Sequence, residues 1–135
     1  MPSLTTSEFP KPKDDKEFEE MTRDLFAAHW KDDNTQVYGR PGQGQDGVDV
    51  YGQPNRAGLY YGIQCKLRSQ GALTQSDIED EIKKARGFTH KLDTYIFVTT
   101  ASRDKNTQDL IDQLSEAEQK RGGFKVQIRF WEDFC

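Results

Sequence analysis

The chain has 135 residues, 33% apolar and 31% charged, with a formal net charge of −4. That size suits one compact domain that needs no disulfide or metal staple, and its clustered apolar runs exclude global disorder. No apolar run is long enough to span a bilayer, and the N-terminus lacks the apolar core of a signal peptide.

The opening residues, with Pro2, Pro10 and Pro12, read as a flexible lead-in over 1–13, followed by one domain over 14–135. Asp14 or Asp15 caps a helix running to Trp30, with Phe18, Met21, Leu25 and Phe26 at helical spacing. A short strand is predicted at Gln36–Tyr38. The glycine-rich stretch from Gly39 through Arg40 to Gly47 has neither the Gly-Lys-Ser/Thr ending of a P-loop nor a dinucleotide fingerprint. It reads chiefly as a hairpin connection, with close approach to a phosphate, helped by Arg40, as a second role. Asp46 within it reads as a turn residue.

Val48–Tyr51 and Leu59–Leu67 are the next two strands, joined by a turn at Gln53–Gly58 to make an antiparallel hairpin. Thr74 and Ser76 are both candidate caps for a following helix, Ser76 having Glu79 at capping-box spacing. Ile78, Ile82 and Ala85 form its apolar face. Tyr95–Val98 is a continuous apolar run, as in a central strand covered on both sides. A helix over Lys105–Lys120 stops at Gly122 and Gly123. The alternation of Phe124, Val126, Ile128 and Phe130 with polar residues marks a last strand at a sheet edge. Strands joined by helices should be parallel with right-handed crossovers, so the fold class is α/β: a central mixed sheet flanked by helices in three layers.

Chemistry concentrates in the hairpin. Along Leu59–Leu67, Gly62, Gln64 and Lys66 share one face, the last two about 7 Å apart along the backbone. Asp49 is expected to face away from an inward Val48 and Val50 and to sit beside that pair. The trio suits metal-assisted phosphodiester hydrolysis, because Mg²⁺ takes oxygen ligands and keeps several waters. Asp49 and Gln64 would be ligands, with the Cys65 backbone carbonyl as a further donor. Lys66 would hold the attacking water or stabilise charge in the transition state.

Asp46-Gly47-Val48-Asp49 followed by Gln64-Cys65-Lys66 resembles the D…QxK signature of Mrr-type restriction endonucleases, a branch of the PD-(D/E)xK or restriction-endonuclease-like superfamily. The resemblance runs from about Phe18 to Thr100. It implies Asp49 as metal-binding aspartate, Gln64 where most of the superfamily has a carboxylate, and Lys66 as catalytic lysine. It also implies a metal-facing glutamate on the first helix, for which Glu19 fits better than Glu20. The neutral Gln64 implies a weaker metal site, with Mn²⁺ working better than Mg²⁺.

A divalent-metal-dependent endonuclease acting on double-stranded DNA is therefore expected. Arg40, Arg68, Lys83 and Lys84 are candidate DNA contacts; Lys83 and Lys84, with Arg86 and Lys91, read equally as phosphate contacts or as a solvated helix face. His90, exposed by its neighbours, has no evident acid or base partner.

Net charge points the other way, since nucleic-acid binders usually carry a basic excess. The balance is uneven, however: residues 1–50 hold 11 acidic and 6 basic side chains, the remainder 12 and 13. A bound cation would reverse the field locally. Similar domains head larger bacterial anti-phage defence proteins, fused to sensor or nucleotide-hydrolysing modules. The chain's end at Trp131–Cys135, with no polar tail, reads either as the edge of such an effector domain or as the end of a natural short protein. Two distant cysteines, Cys65 and Cys135, make no framework and no C-x-x-C clip, so the cytoplasm is the expected compartment and no membrane partner is expected. Two other functions stay open: a silent nuclease-like module that holds DNA without cutting it, and an oligomerisation module pairing copies through the last strand.

Overall fold

The computed structural model describes residues 11–39, 46–68 and 73–134. Arg40 and the glycine-rich stretch to residue 45 therefore lie outside the described residues, as do residues 1–10 of the lead-in and Cys135. Helix α1 spans Asp15–Trp30, and Asp14 is its cap, the carboxylate accepting from the Glu17 N–H at 2.8 Å. Its buried stripe is Phe18, Thr22, Phe26 and Trp30, every fourth residue. Leu25, expected on that face, is 41% exposed.

Among the described residues one sheet is formed by β1 (Gln36–Val37), β2 (Val50–Gly52), β3 (Tyr60–Lys66), β4 (Leu92–Thr99) and β5 (Lys125–Arg129), lying side by side in that order. The β1–β2 and β2–β3 pairs are antiparallel, and β3–β4 and β4–β5 are parallel. Helices α2 (Gln75–Ala85) and α3 (Lys105–Lys120) make the two parallel crossovers. Thr74 caps α2, its hydroxyl accepting from the Asp77 N–H at 3.1 Å, and Ser76 falls inside the first turn.

Three layers result. On one face Phe18, Phe26 and Trp30 of α1 pack on Val50, Ile63, Ile96 and Val98. On the other, Ile78, Ile82 and Ala85 of α2 and Ile111 of α3 pack on Tyr95, Phe97 and Val126. The alternation of β4 feeds both layers, which is why its sequence is continuously apolar. Both crossover helices lie on one face, as two crossovers of the same hand moving in one direction across a sheet require.

The second strand begins later than its sequence suggests. Val48 and Val50 do not share a face: Val48 is buried under α2 with Tyr95, whereas Val50 is buried under α1 with Ile63. The chain bends at Asp49 and becomes strand only from Val50. Simple alternation fails there because the preceding turn is held elsewhere. Asp46 is exposed at φ 51°, as expected of a turn residue, and Gly47 has φ 72°. A Cβ on Gly47 would lie 2.8 Å from the Glu81 carbonyl oxygen and 3.1 Å from the Ala85 nitrogen. The Tyr95 hydroxyl donates to the Gly47 carbonyl from below.

Only glycine accepts both the backbone conformation and the contact with α2. Gly47→Ala is expected to lower stability by about 1–3 kcal/mol, read as a lower urea midpoint. A midpoint equal to wild type would show that the turn is not pinned to α2.

Candidate active site

Asp49 sits where β2 and β3 part. Its N–H donates to the Ile63 carbonyl at 2.7 Å, and its own carbonyl accepts from the Tyr38 N–H at 2.8 Å. The carboxylate Oδ2 then accepts from the Cys65 N–H at 2.8 Å. The side chain thus occupies the place of a ladder carbonyl at the end of β2, rather than standing out from a sheet face. In a strand a residue's N–H and C=O leave on the same edge, so the Cys65 carbonyl opens on the edge that Asp49 occupies.

Burial is the first reason the Asp49 carboxyl rises to about 6. The Cys65 hydrogen bond opposes that rise, the Glu81 charge adds to it, and the Lys66 charge opposes it. Glu19 approaches from α1 and is raised to about 7, by burial first and then by the charge of Asp49. Glu20 is exposed. Of the two candidate glutamates on α1, Glu19 is therefore the one turned toward Asp49.

On β3, Tyr61, Ile63 and Cys65 pack toward α1, so Gln64 and Lys66 point under α2. Gln64 is 8% exposed, and its Oε1 is buried with no hydrogen-bond partner. Unpaired buried acceptors are rare and costly. Lys66 Nζ lies 3.4 Å from Glu81 Oε2. The Cys65 thiol is pushed well up, by burial first and then by the Asp49 charge, so it is no nucleophile.

The site therefore gathers Asp49, Gln64, Lys66 and the Cys65 backbone, with Glu19 across the sheet edge. Among the described residues no three His, Cys, Asp or Glu side chains are grouped to hold a metal ion by themselves. Any ion here would rely on amide, carbonyl and water oxygens beside the carboxylates. That donor set fits a hard divalent cation, and the orphaned Gln64 oxygen and the two raised carboxyls are both relieved by positive charge.

The expected DNA contacts are scattered. Arg68 Nη2 pairs with Asp77 at 3.2 Å by the start of α2. Lys84 Nζ is 3.1 Å from Glu81 Oε1, which holds it protonated, and its Cβ lies next to Gly47. Lys83, one residue back, lines a groove between α2 and α3 with Glu79 and Leu114. Arg86 is engaged by the buried Glu118 at 2.8 Å, and Lys91 lines a pocket with Arg121 and Phe124. His90 is half-buried and not exposed as expected, stacked on the Tyr60 ring at 4.0 Å. Trp30 and Phe88 are core residues. No described helix is long and apolar enough to cross a membrane.

Sequence reasoning missed Glu81. It lies three residues after Ile78 and four before Ala85, on the buried stripe of α2, and is 6% exposed. A charged residue at an apolar position was the available signal.

A five-stranded mixed sheet between helices, with a carboxylate and a QxK strand at the hairpin end, defines a restriction-endonuclease-like α/β domain. The family model described as Mrr_cat, restriction endonuclease, matches residues 13–122, and the chain belongs to that family. It is a nuclease domain of the restriction endonuclease type. No curated protein and no solved structure matches the chain.

A carboxyl whose folded pKa is raised costs stability that is absent below its unfolded value and fully developed above its folded one. For Asp49 that window runs from 3.8 to about 6. In chelator at pH 8, Asp49→Asn is expected to melt about 3–8 °C above wild type, with the gain vanishing near pH 4. A variant that melts lower at pH 8 would contradict the raised carboxyl.

Proposed function

We propose that this domain is a divalent-metal-dependent endonuclease that hydrolyses phosphodiester bonds of double-stranded DNA. The observation that carries the reading is the buried, unpaired Gln64 oxygen on the strand beside a desolvated Asp49 carboxylate, with the Lys66 ammonium next along that strand. Asp49, Gln64, the Cys65 carbonyl and Glu19 would hold Mg²⁺ or Mn²⁺. A divalent ion held by these groups would supply Lewis-acid chemistry, polarising the phosphate and acidifying a water.

The chain's own groups do the rest. The Cys65 amide fixes the Asp49 carboxylate, so its geometry needs no reorganisation during reaction. Lys66 presents a fixed positive charge to the phosphate oxygens as charge builds on them. Lys84, on the same side of α2 as Gly47, and Arg68 at the start of that helix supply phosphate contacts. Lys83 contributes less, since it faces the α2–α3 groove. Because Gln64 is neutral, an ion here would be held by less charge than a carboxylate pair would give, which would favour Mn²⁺ over Mg²⁺.

We also read the domain as the effector part of a prokaryotic defence protein, switched on when a sensor or nucleotide-hydrolysing partner brings copies together. The position of β5 at the sheet edge among the described residues supports pairing between copies.

Wild-type protein is expected to nick supercoiled plasmid with Mg²⁺ and faster with Mn²⁺, and Lys66→Ala to slow nicking by at least about 100-fold. Absence of nicking even after forced dimerisation, or equal nicking by Lys66→Ala, would overturn the reading.

A further inference from the structure

Glu81 is a buried carboxylate that the resemblance and the family match leave without a role. Its side chain is 8% exposed, yet it serves two cations: Oε2 faces Lys66 Nζ at 3.4 Å and Oε1 faces Lys84 Nζ at 3.1 Å. Its position is fixed from three directions. The turn of α2 that carries it is packed between Ile78 and Ile82 in the core. The Tyr95 hydroxyl lies 3.4 Å from its backbone carbonyl. Gly47, two residues before Asp49, rests against that same carbonyl. The carboxylate that touches Lys66 is therefore tied through backbone contacts to the turn that delivers Asp49.

Burying a carboxylate between cations is a poor way to stabilise a domain, because desolvation offsets most of the attraction and an apolar residue would pack at least as well. A lysine on a four-carbon stem, by contrast, has many rotamers, and a reaction site needs one of them. We propose that Glu81 is a positioning residue for DNA cleavage, holding the Lys66 ammonium in register with Asp49 and Gln64. The inference rests on the nuclease reading above and adds to it how the lysine is aimed. Lys84 occupies the second oxygen and keeps Glu81 from turning wholly toward Lys66.

The test compares wild type, Glu81→Gln and Ile111→Val, a core-shaved control on α3 away from the site. Three quantities are read: the maximal single-turnover rate of plasmid nicking in Mn²⁺, the half-saturating enzyme concentration, and the Lys66 side-chain ammonium signal in ¹⁵N-lysine NMR. Glu81→Gln is expected to lower the maximal rate about 10–100-fold, to leave half-saturation within about twofold, and to lose or broaden the Lys66 signal. Ile111→Val is expected to melt lower without losing rate. Unchanged nicking by Glu81→Gln alongside active wild type overturns this inference alone. So does a rate loss with the Lys66 signal intact, or one that Ile111→Val reproduces. Inactive wild-type protein, forced dimer included, overturns the nuclease reading and this inference together.

Discussion

The hydrogen bond from the Cys65 amide to the Asp49 carboxylate closes the β2–β3 hairpin at the end where the two strands part. A backbone carbonyl would ordinarily fill that place in the ladder. With a carboxylate there, the sheet itself fixes a charged group at its edge. Everything that makes the site depends on the chain reaching Asp49 at that spot. Gly47 must pass close under α2, Val48 must turn into one layer and Val50 into the other, and Tyr95 must hold the turn from beneath. The two layers meet at this point, so α1 contributes Glu19 from one side while β3 and α2 contribute Gln64, Lys66 and Glu81 from the other.

The same constraint sets the electrostatics. Asp49 and Glu19 are both driven up by burial first, Asp49 further by the Glu81 charge and Glu19 further by the Asp49 charge, and Lys66 and Lys84 are drawn to Glu81. A fold seeking only stability would not keep mutually repelling carboxyls beside an unpaired buried amide oxygen. Such local cost concentrates where function requires it. It also explains how an acidic chain can act on a polyanion: the deficit of positive charge is local, and a cation seated among these groups would turn it over.

Much of this was legible in the residues. Side-chain alternation along β3 put Gln64 and Lys66 on one face, and helical spacing located α1, α2 and α3 closely. The Asp49 side chain is harder to place, because the turn at Gly47 breaks strict alternation through Val48–Val50. Glu81 was hidden by its chemistry: a glutamate on a helix reads as solvated, and its burial depends on the long-range approach of β3. Lys83 and Lys84 looked equivalent as neighbours, yet successive helical residues point about 100° apart, and only Lys84 meets the site. Leu25 stands at helical spacing from Phe18 and Met21 yet lies off the packed stripe, which steps by four through Phe18, Thr22, Phe26 and Trp30.

The central claim is that Asp49 and Gln64 together present a cation site. The most direct measurement is a crystal of the domain soaked in Mn²⁺, with anomalous scattering used to locate the ion. One peak touching the Asp49 carboxylate and Gln64 Oε1 is expected. An empty site at saturating Mn²⁺, or an ion bound only elsewhere on the protein, would contradict it.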